Sequence, residues 1–394
     1  MAYSPAMRIL HVGKYYPPQL GGMETVLRLL CEGLLARGHE VTAVVSGTGM
    51  LDRREALPGR GNGPPGTLVR VARLGVAASQ PLTPSLPAVL ARELRRFRPH
   101  VVHLHLPNPL AAAAWLVVGA AGNGRGGPVF AVWHHADIVR QRLGGRCVTP
   151  LVRSCLARCD GISVSSVALR DGSPLLAPHR AKTTVIPFGI DPAAWAPSDR
   201  PARRPPPAAD APFLFVGRLV PYKGVDLLVD AVGELPSARL EVVGDGPLGE
   251  ELRTRIEARG WQDRIVLLGA LDGTDLARRM WSARALVLPS RDRSETFGLV
   301  QIEAMAAGLP VIVSRVDTGV AGVTVDGVTG RHVPPGDPAA LRAALDEVLT
   351  DPALGVGWGD SGRRRVEQSF TAGRMVEQLE AWYHGLVARC SCTR

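Results

Sequence analysis

Aromatic residues make up only 5% of this 394-residue chain, so its core must rest on Ala, Val and Leu. Lysine is almost missing. Lys14, Lys182 and Lys223 are the only three among 46 basic residues, and arginine supplies the rest. The six cysteines, at 31, 147, 155, 159, 390 and 392, form no CxxC pair. That removes the usual zinc spacing and leaves reduced thiols as the reading. No apolar run reaches the roughly 20 residues that a bilayer span needs. The N-terminus has no charged segment followed by an apolar one, so nothing marks secretion and a cytoplasmic chain is expected. No GxGxxG follows the first strand pattern, which removes the dinucleotide fingerprint of an oxidoreductase. No DxD occurs anywhere, so no metal is expected. The few scattered aromatics provide no stacking platform for nucleic acid.

What is present is length for two domains of about 200 residues each. The net charge of +10 favours an anionic partner: a nucleotide phosphate or an acidic membrane surface. Short apolar runs alternate with amphipathic stretches. MRILHVG (7–13), VTAVVS (41–46), VVHLH (101–105), VFAVWH (129–134), GISVSS (161–166) and TTVIPF (183–188) read as buried strands. A second series reads FLFVG (213–217), LEVVG (240–244), IVLLG (265–269), ALVLP (285–289) and PVIVS (310–314). Such alternation predicts two α/β domains with doubly wound parallel sheets and right-handed crossovers. The predicted division is a first domain at 1–197, a linker at 198–212 (SDRPARRPPPAADAP), a second domain at 213–370 and a C-terminal helix at 371–394. Segment 47–66 reads as a Gly/Pro-rich loop, and 326–341 as a loop-and-turn leading to a helix capped at Asp337. Two such domains predict a central cleft, a common place for a ligand with two chemically different ends.

Four segments carry candidate chemistry. In SETFGLVQIEAMAAG (294–308), a strand is followed by a loop and a helix. The amides at Phe297, Gly298 and Leu299 face the helix start, where dipole and free N–H groups favour a phosphate. Glu295 precedes that cradle and Glu303 lies about 7–8 Å further along the helix. Two carboxylates flanking a phosphate site suit a ligand with hydroxyls at both ends, as in a nucleotide sugar. In FVGRLVPYKGVDLLVDA (215–231), Arg218 and Lys223 offer a fork and a point charge for a diphosphate. In GKYYPPQLGGMETV (13–26), Gly21 and Gly22 permit close backbone approach before a helix. His103, His105, His134 and His135 sit at the predicted carboxyl ends of two strands, where a neutral imidazole can meet a hydroxyl.

The set PPQLGGMET, WHHADIVRQ, IPFGID, VGRLVPYKG, VGDGPL, SETFGLVQIEAMAAGLPVI and DGVTGRHVPPGDP appears in order over nearly the whole chain. In this it resembles the retaining glycosyltransferases of family 4, with the GT-B architecture of two Rossmann-like domains facing a central cleft. The resemblance implies roles. Arg218 and Lys223 would bind the donor's diphosphate and stabilise the leaving group. Glu303 would hold the ribose hydroxyls. Glu295, with the backbone of Thr296, Phe297 and Gly298, would hold the transferred sugar. His135, or His134 in its place, would contact that sugar, and Gly21 and Gly22 would approach the phosphate. One departure is Phe188, where the family often has Asn. The expected donor is GDP-mannose, with a UDP-sugar next, and no cofactor or metal beyond it. The expected acceptor is a glycan or polyprenyl-linked glycan of cell-surface polysaccharide, with a small-molecule acceptor as the alternative. The basic stretch LARELRRFRP (90–99) reads equally as a surface for peripheral contact with an anionic membrane or as a solvated helix face, and no nucleic acid is expected.

Overall fold

The computed structural model describes residues 5–19, 21–59, 65–77, 80–122, 127–137, 144–195 and 204–393. The chain divides into two compact units. The first comprises Met1–Phe188 and Ala372–Arg394, the second Gly189–Thr371.

The strands of the first unit are β1 (Arg8–Val12), β2 (Glu40–Ser46), β3 (Arg53–Leu57), β4 (Gly66–Val71), β5 (Gly75–Ala77), β6 (Gln80–Leu82), β7 (Val101–Leu106), β8 (Val129–His134), β9 (Gly161–Val164) and β10 (Thr183–Val185). Eight of them form one sheet in the order β10-β9-β8-β7-β1-β2-β4-β3. Neighbours are parallel except the β3–β4 pair, and β5 pairs antiparallel with β6. Every residue of β7 and β8 is buried, as expected of central parallel strands covered on both faces. Period two sends Val102, Leu104 and Leu106 into an aliphatic core with Val89, Leu90 and Trp115. His103 and His105 point to the other face. The final helix, Ala372–Thr393, packs on that side of the unit against the helix Gly22–Ala36. Glu380 on it pairs with both Arg37 and His39, the latter at 3.0 Å.

The second unit has β11 (Phe213–Val216), β12 (Leu240–Val243), β13 (Ile265–Gly269), β14 (Leu286–Leu288), β15 (Val311–Ser314) and β16 (Gly330–Val333), in the order β13-β12-β11-β14-β15-β16. All its ladders are parallel. Its core gathers Phe213, Phe215, Leu228, Leu240, Leu341 and Trp358. The strand order reverses beside β11 and β14, which places the carboxyl ends of those two strands at a topological switch point.

Three expectations are corrected. The 47–66 stretch holds β3, an exposed edge strand with no apolar alternation. Ion pairs of Arg54 with Glu93 and of Arg70 with Glu55 fasten it instead. The 326–341 stretch contains β16, whose short GRHV run completes the sheet edge beside β15, while Asp337 does cap the next helix through the N–H of Ala339 and Ala340. The unit boundary falls at Phe188 and Gly189, ahead of the expected linker at 198–212. Part of that linker (198–203) lies outside the described residues. The remainder, from 204, belongs to the second unit. Arg204 is buried there and donates to the carbonyls of Trp281 (2.9 Å) and Ala283, while Arg284 donates to those of Ala208 and Ala209. Arginine rather than apolar side chains anchors this proline-rich strap.

Candidate active site

The second unit assembles the anion site at the carboxyl ends of β11 and β14. After β11 the chain exposes Arg218, then makes a single 3-10 turn, Pro221–Lys223. Gly224 follows with φ 67°, and a Cβ there would stand 2.1 Å from the Pro289 carbonyl oxygen. Only glycine permits both the left-handed turn and this approach of the two loops. The approach brings Lys223 Nζ to 2.5 Å from Glu295 Oε2, with both side chains largely buried. Burial works against the Lys223 charge, but the Glu295 carboxylate, helped by Tyr222, holds the ammonium above the ordinary lysine range.

The loop from Glu295 to Gly298 is pinned from behind. Thr318 Oγ1 donates to the Glu295 carbonyl at 2.7 Å, the Gly319 N–H to that of Thr296 at 2.8 Å, and Gln301 Nε2 to that of Phe297 at 2.8 Å. Gln301 is held in turn by Thr324 Oγ1 at 2.7 Å. Three successive carbonyls are thereby occupied. Among the described residues, no backbone carbonyl takes the N–H of Gly298 or Leu299. The helix begins at Leu299, with Gly298 as its N-cap at φ 69°. Phe297 is buried with its ring edge-on to Phe370. Thr296 carries the loop between these fixed points. Glu303 lies on the same helix, Leu299–Ala306, with no hydrogen-bond or ion-pair partner among the described residues, and burial pushes its carboxyl up to about 7. Arg218 likewise has no partner among the described residues and is exposed. This unit therefore joins the Lys223 and Glu295 loops, with Thr296, Phe297, Gly298 and Leu299 following Glu295, Arg218 on the loop after β11 and Glu303 further along the helix that Leu299 opens. A cation, amide groups and a half-buried carboxyl group with no protein partner among the described residues can hold a phosphate and a diol.

The first unit holds the histidines and the glycine pair. Gly21 and Gly22 open the helix Gly22–Ala36 and are exposed. Glu24 folds back so closely that a Cβ on Gly21 would meet its Oε2. A small cavity beside this helix start is bordered by Gly13, Lys14, Glu24 and His105. His135 follows β8 directly; its ring stacks with Phe188, 5.6 Å between centroids, and with Trp133 at 5.7 Å. Its Nε2 lies 2.9 Å from His105 Nδ1, and His105 Nε2 lies 3.1 Å from His11 Nδ1. Burial holds His11 and His135 down to about 3 and His105 well below the imidazole range, so all three rings are neutral. His134 points to the opposite face and donates to Asp137 (3.1 Å), which also accepts from Ser173 Oγ. His103 belongs to the interior rather than to a strand's open end. It meets Tyr383 Oη of the final helix at 2.5 Å. His11, His103 and His105 bring potential ligand atoms within 4.8 Å of one another. However, His11 Nδ1 and His105 Nε2 face each other, His103 Nδ1 meets Tyr383 Oη, and among the described residues no carboxylate joins the group to offset a buried dication.

Sequence reasoning missed His11, whose register against β7 could not be read from RILHV alone, and the supporting group Gln301, Thr318, Gly319 and Thr324. A Thr-Gly pair shortly after a buried strand was the only signal for the latter.

Two family models match the chain: "Glycosyltransferase Family 4" over residues 20–194 and "Glycosyl transferases group 1" over residues 200–365. The chain is 31% identical to the O-antigen chain mannosyltransferase C of Escherichia coli over 392 residues, covering 97% of this chain and 99% of that protein. It is 30% identical to the D-rhamnosyltransferase WbpZ of Pseudomonas aeruginosa over 385 residues, covering 93% of each. Its fold matches a solved sucrose-phosphate synthase from Thermosynechococcus elongatus with a TM-score of 0.79, at 24% identity, over 97% of this chain and 100% of that one. The two Rossmann-like α/β units have the GT-B fold, and the family models and curated relatives define the class as a hexosyl-transferring enzyme. Within it, the chain belongs to glycosyltransferase family 4, alongside enzymes of bacterial polysaccharide synthesis.

Proposed function

We propose that this enzyme moves mannose from GDP-mannose to a glycan or lipid-linked glycan in cell-surface polysaccharide synthesis, with retention at the anomeric carbon. The observation that carries the reading is the pinned 295–299 loop tied to the Lys223 loop by the Lys223–Glu295 pair. Arg218 and Lys223 clamp the donor's diphosphate. They act with the amides of Phe297, Gly298 and Leu299 on the negative charge that grows as the sugar–phosphate bond breaks. Glu303 accepts hydrogen bonds from the ribose hydroxyls. Glu295 and the Thr296–Gly298 backbone hold the hexose, His135 meets the same sugar, and Gly21 and Gly22 approach the phosphate.

No side chain here offers an obvious covalent nucleophile. The acceptor hydroxyl attacks from the face the diphosphate leaves, and its proton passes to a departing phosphate oxygen. The chain has no DxD pair, so the reaction proceeds without a bound divalent metal. Mannose is favoured by the name of the Escherichia coli relative; a UDP-hexose is the second donor, and a small-molecule acceptor the second acceptor.

The test is transfer of label from GDP-[14C]mannose, in EDTA, to a polyprenyl-linked glycan pool. Label entering the lipid fraction and released by α-mannosidase is expected. Transfer only from a UDP-hexose would replace the donor, and β-linked product would overturn retention. No transfer to lipid, but transfer to a free sugar, would replace the acceptor.

A further inference from the structure

Nine large apolar side chains are exposed among the described residues, and five of them, Met50, Leu51, Leu74, Val76 and Leu82, fall on three neighbouring segments of the first unit. Backbone hydrogen bonds tie these segments together. The N–H of Arg73 donates to the Gly49 carbonyl at 2.8 Å, and that of Leu74 to the Leu82 carbonyl at 2.9 Å. Asp52 Oδ1 adds a third tie, accepting from the Ala72 N–H at 2.8 Å and from Ser85 Oγ at 3.3 Å. Single exposed apolar residues are ordinary, whereas a gathered group marks an interaction surface. Strands β5 and β6 form a two-stranded sheet of their own, apart from the eight-stranded one. Val76 stands opposite Pro81 and Gly75 opposite Leu82, so alternation puts Val76 and Leu82 on opposite faces of this hairpin. Each face thus exposes an aliphatic side chain. Open strand edges are normally guarded by charge, yet no charged residue stands between Arg73 and Arg92.

Beside the apolar segments runs a groove of about 280 Å³ bordered by Asp52, Arg53, Arg54, Arg92, Glu93 and Arg96. Four guanidinium groups there meet two carboxylates. Arg54 takes Glu93 with two bonds, of 2.8 and 2.7 Å. Arg92 reaches Asp52 and Glu93 only at 3.9 and 3.8 Å. Arg53 and Arg96 are exposed and have no hydrogen-bond or ion-pair partner among the described residues. The groove is therefore left with a positive surplus. Asp52 belongs both to the groove and to the apolar segments, so the two features form one continuous surface. The apolar segments lie at the carboxyl edge of the eight-stranded sheet. There the Ser46 N–H donates to the Lys14 carbonyl at 3.0 Å, and the Gly47 N–H to that of Val71 at 2.7 Å. Gly21 and Gly22 follow β1 at the same edge.

We propose that this surface docks on an anionic lipid bilayer, with the 49–51 segment and the β5–β6 hairpin entering the interface and Arg53, Arg92 and Arg96 meeting lipid phosphates. Aliphatic tips bordered by arginine match both layers of such a surface, the acyl boundary and the negative headgroups. Arginine suits phosphate in particular, because its fork can bind two oxygens at once. A protein partner is typically gripped by aromatic anchors, and none of the five apolar residues is aromatic. Docking here brings the bilayer to the edge that carries Gly21 and Gly22, where a lipid-linked acceptor would be presented. Only that last step rests on the proposed function; the docking itself needs neither donor nor acceptor.

The experiment is flotation of the full chain with phosphatidylglycerol vesicles and with phosphatidylcholine vesicles, without nucleotide, followed by hydrogen exchange on the bound chain. Binding to phosphatidylglycerol that falls with salt is expected, with none to phosphatidylcholine and slowed exchange at residues 49–53 and 72–77. Leu51→Ser with Leu74→Ser should weaken binding about tenfold. Arg53→Gln with Arg96→Gln should weaken it roughly thirtyfold, at about fivefold per arginine. Val328→Ser, at an exposed apolar residue of the second unit, should change nothing. The leucine pair should also slow transfer to a lipid-linked acceptor in vesicles and spare transfer to a soluble glycan. No binding to phosphatidylglycerol, equal binding to phosphatidylcholine, or unchanged exchange at 49–53 and 72–77 overturns the proposal, and none of these outcomes depends on a variant that folds. So does self-association of the chain in solution that the leucine pair abolishes, since the surface would then join two copies. Docking as expected without transfer from GDP-mannose would overturn the proposed function alone.

Discussion

Glu303 is the residue whose chemistry is most exposed to test. Its carboxyl titrates near 7 because burial penalises the charge. In the folded state it therefore keeps its proton from the ordinary carboxyl range up to about 7, and the stability this gives is lost as pH rises through that window. A ribose diol that donates to the carboxylate favours the ionised form. Affinity for the nucleoside diphosphate should accordingly rise about tenfold between pH 6 and pH 8 as the ionised fraction grows. Calorimetric titration at both values checks this, and Glu303→Gln should flatten the dependence. Lys223 and Glu295 make the second residue-scale case. A buried pair that loses one partner strands the other charge, at a cost of about 3–5 kcal/mol. Lys223→Met should therefore lower the Tm sharply, and adding Glu295→Gln should return part of the loss. Equal or additive losses would mean that the two groups are not coupled.

At the scale of elements, the 295–299 loop is a rigid piece held by its carbonyls. Gly298→Ala would force a left-handed alanine, costing about 1–2 kcal/mol, and would push a Cβ to 2.7 Å from Gln301 Nε2. We expect a lower Tm and weaker nucleotide binding together, read by thermal melts and titration. The helix Leu86–Phe97 buries Leu90 and Glu93 and exposes Arg92, Arg95 and Arg96. If that face meets an anionic membrane, co-sedimentation with phosphatidylglycerol vesicles should fall with salt and with Arg→Gln at all three positions. Binding unaffected by either change would leave the arginines as a solvated face.

This is also the scale at which legibility varied. Strands buried on both faces announced themselves as apolar runs, and β7, β8, β11 and β14 were readable for that reason. β3 and β16 were not, because edge strands gain from ion pairs and backbone pairing rather than from apolar pattern. Motif residues of the site were legible since glycine, cation and carboxylate are chemically unmistakable. Their supports, Thr318, Gln301 and His11, were not, since each matters only through a contact distant in sequence.

At the scale of the molecule, each unit carries its own sheet and core, and the chain enters the second at Gly189 and leaves it at Thr371. Composition drew attention to the proline- and arginine-rich stretch as the junction. Yet Arg204 binds carbonyls of the second unit, so hydrogen bonding overrode what proline content suggested. No helix among the described residues is long and apolar enough to cross a membrane.

The central claim is that the second unit binds a nucleoside diphosphate through Arg218. Thermal stabilisation by GDP, UDP, ADP and NAD, without metal, should be measured on wild type and on Arg218→Ala. Stabilisation by one nucleoside diphosphate, GDP foremost, is predicted. The variant should lose about 2 kcal/mol of binding, roughly thirty-fold in affinity. A nucleotide shift that Arg218→Ala leaves intact, or stabilisation by NAD alone, would contradict the account.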